Sequence, residues 1–291
     1  MQVHLVDGTY ELFRHHFGVP SHLTDAGQEV AATRGVVGSV LAMLEDGATH
    51  LAVATDHVIP SFRNDLWAGY KDGSGTDEEL LSQFGLVEDV LRAVGVPVFA
   101  MVEYEADDAL GAAARLAAAD DRVERVLICT PDKDLGQCVG GKVFQFDRRK
   151  ELLIDVDGVI EKFGVGPESI PDYLGLVGDS ADGFPGLPGW GHKSAGAVLA
   201  RYVHLEDVPR DSHDWDVEVR GASKLAMTLH HQMADALLFR QIATLAYEAP
   251  TVESVDELEW KGPRPELADL AASIDAPNLA TRADRLAEVR L

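Results

Sequence analysis

The chain has 291 residues, 46% of them hydrophobic, and a formal net charge of −24. That length and apolar content suit a globular protein with one large or two smaller cores and exclude a disordered chain. The acidic balance taken alone argues against a nucleic-acid binder, because phosphate binding calls for a basic surface; it suits a protein that repels polyanions or holds many divalent cations.

No run of about 18 uncharged apolar residues is present, so no membrane span is expected. The start, MQVHLVDG, is too short an apolar run for a secretory leader. Cys129 and Cys138 have neither metal nor redox spacing, and a reducing cytoplasm is the expected location.

In chain order, VHLVDG (3–8) reads as a short buried strand, and 29–45 carries apolar residues at helical spacing. HLAVATD (50–56) is a second strand, and 80–95 a second helix, stopped by Gly95 and Pro97. VPVFAMV (96–102), RVLICTPD (125–132) and KVFQFD (142–147) are further strands, the last able to pair as a hairpin with ELLIDVDG (151–158). Strand and helix in alternation predict a mostly parallel sheet flanked by helices.

In such sheets the ligand site lies outside the carboxyl ends of the strands. Asp7, Asp56, Glu105, Asp107, Asp108, Asp132 and Asp134 all fall at or just after those ends. One acid at a helix start, as in YEADDALG (104–111), reads most simply as a cap or a partner for the helix dipole. Acids from four segments on one rim are different: without cations they repel and some must stay protonated. Hard divalent ions, Mg²⁺ or Mn²⁺, are the natural compensators. Two of them roughly 4 Å apart form the usual clamp on a phosphodiester.

From about residue 160 helices dominate. A helix leads to Asp179 and Asp182, and a Gly/Pro-rich loop, PGLPGWGHK, opens the helix SAGAVLARY. Backbone N–H groups at such a turn bind phosphate with little net positive charge. Residues 221–247 read as one or two amphipathic helices with Leu225, Leu229, Met233, Leu237 and Leu238 as core; His230 and His231 read as surface or packing residues. Beyond 250 a loop and a short helix are expected.

VDGTYELFR, SFRNDLWAGYK, YEADDALGA, TPDKDLGQC and GDSADGFPGLPGWGHKSA, in this order over about residues 3–245, resemble the successive motifs of the 5′-nuclease superfamily. Its members include the 5′→3′ exonuclease domain of bacterial DNA polymerase I, phage 5′-exonucleases and flap endonucleases. The resemblance implies a PIN-like catalytic core over 1–165, a helical helix–three-turn–helix DNA-binding region over 166–250, and a tail, 251–291, packed on the core or partly flexible. It implies a metal site of two or more Mg²⁺ or Mn²⁺ ions on Asp7, Asp56, Glu105, Asp107, Asp108, Asp132, Asp134, Asp179 and Asp182, and leaves room for K⁺ at the helix–three-turn–helix loop. It gives Lys71 and Arg63 catalytic roles at the scissile phosphate. It assigns nucleic-acid binding to Tyr70, Gly189, Gly191, His192, Lys193 and Ser194, with Tyr10 and Phe13 as further aromatic candidates.

The implied reaction is 5′→3′ exonuclease or flap-endonuclease hydrolysis of DNA near a 5′ end, flap or nick, with RNA primers on DNA left open, by a monomer. The alternatives are a PIN-type ribonuclease, a non-catalytic DNA-structure-binding module, and a small-molecule phosphatase. Three departures stand out. KDGSGTDEELL after Lys71 is acidic where family members are basic, the family's SDN triplet is ADG at 181–183, and no polymerase segment follows, as expected of a stand-alone member.

Overall fold

Short apolar runs become parallel strands wherever helices can cover both of their faces. The computed structural model describes residues 1–290. It forms two units, one of Met1–Ile59, Gly73–Thr130 and the chain from Ala246 onward, the other of Pro60–Asp72 and Pro131–Leu245.

The first unit holds strands β1 (Gln2–Asp7), β2 (His50–Asp56), β3 (Val98–Met101) and β4 (Arg125–Cys129) in the order β3-β2-β1-β4. All three pairings are parallel, with Val3 opposite His50, Val53 opposite Val98 and Gln2 opposite Arg125. Every residue of β2 is buried, as expected of a central strand covered on both sides. The expected helices appear as Ala31–Glu45 and Gln83–Val94, the second stopped by Gly95. A further helix, Gly8–Gly18, starts directly at the end of β1. Its first residue must be small, since a Cβ on Gly8 would lie 2.8 Å from the Ala54 carbonyl oxygen.

The segment after 250 forms two helices, Leu267–Ser273 and Pro277–Arg290, rather than a loop and one short helix. Trp260 anchors it. Its indole N–H donates to the Val94 carbonyl at 2.8 Å and its backbone N–H to the Thr49 carbonyl at 2.8 Å.

The second unit contains the antiparallel hairpin β5 (Val143–Asp147) and β6 (Leu152–Ile154). The second strand is shorter than its apolar run because Asp155 caps a helix, Val156–Phe163, by accepting the Gly158 N–H. Then come helices Ile170–Val177, His192–Tyr202, Ala222–His231 and Met233–Ala243. The long amphipathic run 221–247 thus breaks in two, with Gln232 between the halves. Leu225 and Leu229 are core as expected, while Met233, Leu237 and Leu238 pack at its margin. His230 and His231 end the first half on the exposed side. In the core of this unit Phe184 stacks on Phe239 at a ring separation of 5.8 Å, and the half-buried Trp67 meets Phe239 edge-on at 5.2 Å. Among the described residues no helix is long and apolar enough to cross a membrane.

Trp260→Ala removes a buried side chain and the anchor of the C-terminal segment. Urea unfolding should show a loss of about 3–5 kcal/mol; a loss below about 1 kcal/mol would mean that this segment does not support the first unit.

Candidate active site

In the first unit the parallel strands carry their acids to one end, and the local structure explains each position. Asp7 ends β1 and caps the next helix: its Oδ1 accepts the Tyr10 N–H at 2.8 Å and its Oδ2 the Thr130 hydroxyl at 2.9 Å. Asp56 ends β2 and its Oδ1 accepts the Ala106 N–H at 2.8 Å. Glu105 caps the helix Ala106–Ala119, and its own N–H donates to Asp108 Oδ2 at 2.9 Å. Asp108 is fully buried, and its other oxygen accepts the Ala246 N–H at 2.8 Å. Capping therefore accounts for much of YEADDALG, and Asp108 in particular is held by backbone donors. Asp107, on the same first turn, is half-buried.

The second unit gathers Asp134, Asp179 and Asp182, which offer carboxylate oxygens within 4.8 Å of one another. Asp134 is only 8% exposed and opens a tight 3-10 turn, its N–H donating to Asp132 Oδ1 at 3.1 Å. Its Oδ1 has no hydrogen-bond partner among the described residues. Burial, and then the neighbouring carboxylates Asp132, Asp182 and Asp179, push its pKa well above the usual aspartate range.

Two lysines offset part of this charge. Lys133 pairs with Asp179. Burial works to lower the Lys133 pKa, but Asp179 outweighs it, with Asp134 and Asp132 adding to the same side, and the net shift is upward. Lys71 Nζ lies 3.0 Å from Asp182 Oδ1. A buried carboxylate oxygen with no hydrogen-bond donor among the described residues, set among like charges, fits a divalent cation with oxygen ligands.

Residues 63–71 and 179–184 are laced together within this unit. The Lys71 N–H donates to the Asp182 carbonyl at 2.9 Å, and the Trp67 indole to the Gly183 carbonyl at 3.1 Å. This contact explains the glycine of ADG at 181–183. Gly183 has φ +84, and a Cβ there would come within 2.1 Å of the Gly69 carbonyl oxygen.

Arg63, expected beside Lys71 at a phosphate, is instead 3% exposed. Its guanidinium donates to the Ile242 carbonyl at 2.7 Å and the Thr244 carbonyl at 3.2 Å. Tyr70, expected to meet a base, is 5% exposed and packs in the helical core. Both residues are amphipathic, and their sequence neighbours give no sign of which end is buried.

The Gly/Pro-rich loop does open a helix, His192–Tyr202, with Gly191 at its cap. The Gly191 N–H donates to Ser194 Oγ at 3.1 Å. His192 Nδ1 lies 2.6 Å from the Tyr173 hydroxyl, Lys193 is exposed, and Gly189 lies in the preceding turn. The segment after Lys71 is short: residues 72–77 lead into a single helical turn, Glu78–Leu81, capped by Asp77.

The model of the 5′-3′ exonuclease N-terminal resolvase-like domain matches residues 2–164, and that of the 5′-3′ exonuclease C-terminal SAM fold matches 165–266. The chain belongs to the 5′-3′ exonuclease family, whose members are phosphodiester-cleaving hydrolases. It is 35% identical over 264 residues to DNA polymerase I of Pseudomonas aeruginosa, covering 87% of this chain but only 28% of that protein. It is 29% identical over 233 residues to a 5′-3′ exonuclease of Aquifex aeolicus, covering 79% of this chain and 80% of that protein. The fold is shared with the bacteriophage T5 D15 flap endonuclease, solved as a pseudo-enzyme-product complex with DNA and metal ions, at a TM-score of 0.64, 19% identity and 99% coverage of both chains. It is shared too with the catalytic core of Rad2 in complex with DNA substrate, at a TM-score of 0.62, 13% identity, and 98% and 92% coverage of the two chains.

The raised pKa of Asp134 sets a pH dependence. In metal-free protein the folded state holds this proton to higher pH than the unfolded chain, whose aspartates titrate near about 4. Asp134 therefore lowers stability progressively as pH rises above that value. Asp134→Asn should be more stable than wild type in EDTA at pH 7, by a margin that shrinks toward pH 4; a margin independent of pH would contradict this. Separately, Gly183→Ala should lose more than about 1 kcal/mol of stability in a denaturant titration, because a left-handed residue and a close carbonyl leave no room for a methyl.

Proposed function

We propose that this chain hydrolyses DNA phosphodiesters near a free 5′ end, at flaps, nicks or recessed ends, with RNA primers on DNA as further substrates. The observation that carries this is Asp134 Oδ1, buried and without a hydrogen-bond partner among the described residues, beside Asp179 and Asp182 in a chain of the 5′-3′ exonuclease family. We take the nine acids named above as the ligand set for Mg²⁺ or Mn²⁺. Bound ions would supply Lewis-acid stabilisation of charge on the attacking and leaving oxygens.

The protein's own groups do the rest. Lys71, held at Asp182, offers an ammonium that can turn from the carboxylate to a phosphate oxygen as charge builds there. The start of the helix His192–Tyr202, with Lys193 exposed beside it, presents N–H donors to a backbone phosphate. Residues 1–165 would then serve as the catalytic core and 166–250 as the region that grips duplex DNA. K⁺ at the 189–194 turn rests on family resemblance alone. A net charge of −24 disfavours self-association and suits a monomer, and two free cysteines suit a reducing cytoplasm.

The test uses a 5′-flap and a matched blunt duplex, each labelled at the 3′ end of the flap-bearing strand. Mg²⁺ or Mn²⁺ should give cleavage near the junction that EDTA abolishes and that Asp132→Ala reduces at least about 100-fold. Flap binding without cleavage would instead leave a DNA-structure-binding module. Lys71→Ala should lower kcat about 10²–10³-fold with little change in KM, the mark of a contact made in the transition state. A rise in KM alone would assign Lys71 to ground-state binding.

A further inference from the structure

The last carbonyls of an α-helix have no partner within the helix and must find one elsewhere. At the end of the helix Met233–Ala243 those partners are side chains from two of the motifs that line the candidate site. Arg63 Nε donates to the Ile242 carbonyl at 2.7 Å and Arg63 Nη2 to the Thr244 carbonyl at 3.2 Å. Gln137 Nε2 donates to the Ala243 carbonyl at 2.9 Å, and Gln137 Oε1 accepts the Leu245 N–H at 3.1 Å. A guanidinium is also the favoured charge at a helix C-terminus. All of this lies in the second unit: Arg63, Ile242, Ala243 and Leu245 are each at most 4% exposed, Gln137 is half-buried and Thr244 exposed.

The two clamping side chains connect this helix end to Asp134 and to Lys71 respectively. Gln137 Nε2 also donates to the Asp134 carbonyl at 2.9 Å, so the amide that grips residues 243 and 245 also holds the turn carrying Asp134, whose Oδ1 has no hydrogen-bond partner among the described residues. Arg63 begins the short helix Arg63–Leu66, in which Asn64 Nδ2 donates to the Lys71 carbonyl at 3.1 Å. The ammonium of Lys71 then meets Asp182. A parallel device holds Asp132: Gln145, fully buried on β5, donates to its carbonyl.

We propose that Gln137 and Arg63 are positioning residues, which use the C-terminal end of the helix Met233–Ala243 as a common template to set Asp134 and Lys71 respectively. The proposal rests on the metal-dependent nuclease function inferred above. It separates the two arms: loss of Gln137 disturbs a metal ligand, whereas loss of Arg63 disturbs a phosphate contact. On this proposal each acts through another residue rather than on substrate.

The experiment measures Mn²⁺ binding to the full chain without DNA, by the paramagnetic resonance signal of free Mn²⁺, together with kcat and KM on a 5′-flap. Gln137→Met keeps length and loses all three amide hydrogen bonds, to Asp134, Ala243 and Leu245. It should weaken Mn²⁺ binding at least about tenfold and lower kcat by a similar factor, with KM within about twofold. Should that variant fail to fold, Gln137→Glu keeps the acceptor for Leu245 and loses the donor to Asp134, and the same shifts are expected. Arg63→Lys cannot span two carbonyls and should lower kcat while leaving Mn²⁺ affinity at the wild-type value. A folded Gln137 variant with wild-type Mn²⁺ affinity and kcat overturns the proposal, as does an Arg63→Lys variant that loses metal binding. Wild type that binds no Mn²⁺ would instead overturn the metal reading of the site.

Discussion

The second unit is organised around a repulsion. Asp134 is nearly buried, one of its oxygens meets no donor among the described residues, and Asp132, Asp179 and Asp182 surround it with like charge. Left alone, such a carboxyl keeps its proton or destabilises the fold. Lys133, paired with Asp179, and Lys71, paired with Asp182, offset only part of the charge. What remains suits a divalent cation, and the surrounding structure holds the acids where a cation is needed. Gly183 lets the 179–184 loop close on residues 63–71, and Gln137 and Gln145 fix the main chain at Asp134 and Asp132.

The same constraint bears on overall charge. A chain of net charge −24 that acts on a polyanion works against long-range electrostatics. Acids concentrated at a metal site do not count fully against it once cations are bound. On the proposed reading the remaining contacts need not be strongly basic: the start of the helix His192–Tyr202 and Lys193 would meet phosphate through local dipoles. Affinity built this way should fall steeply with salt.

Much of this was legible in the sequence because its signals are local. Strand runs such as HLAVATD kept their boundaries, and acids at strand ends could be placed by the general rule for parallel sheets. The helix Gly8–Gly18 was passed over because Asp7 reads equally as a strand end and as a helix cap, and Arg14, His15 and His16 dilute the apolar stripe. Motif position points Arg63 to the scissile phosphate and Tyr70 to nucleic acid, yet the burial of Arg63 depends on residues such as Ile242 and Thr244, some 180 positions away. Gln137 and Gln145 gave no signal. An uncharged amide at a turn or on a strand shows nothing of the backbone it will hold, and its partners lie far along the chain or just outside its own element.

The central claim is that carboxylates such as Asp134 are held in repulsion until divalent cations bind. The most direct test is thermal unfolding of wild type and Asp134→Asn with and without Mn²⁺, at constant ionic strength. Wild type should gain stability with Mn²⁺, about 2.7 kcal/mol at a hundredfold excess over the dissociation constant. Asp134→Asn should start higher without metal and gain far less. Equal gains in the two proteins, or none in wild type, would contradict the account.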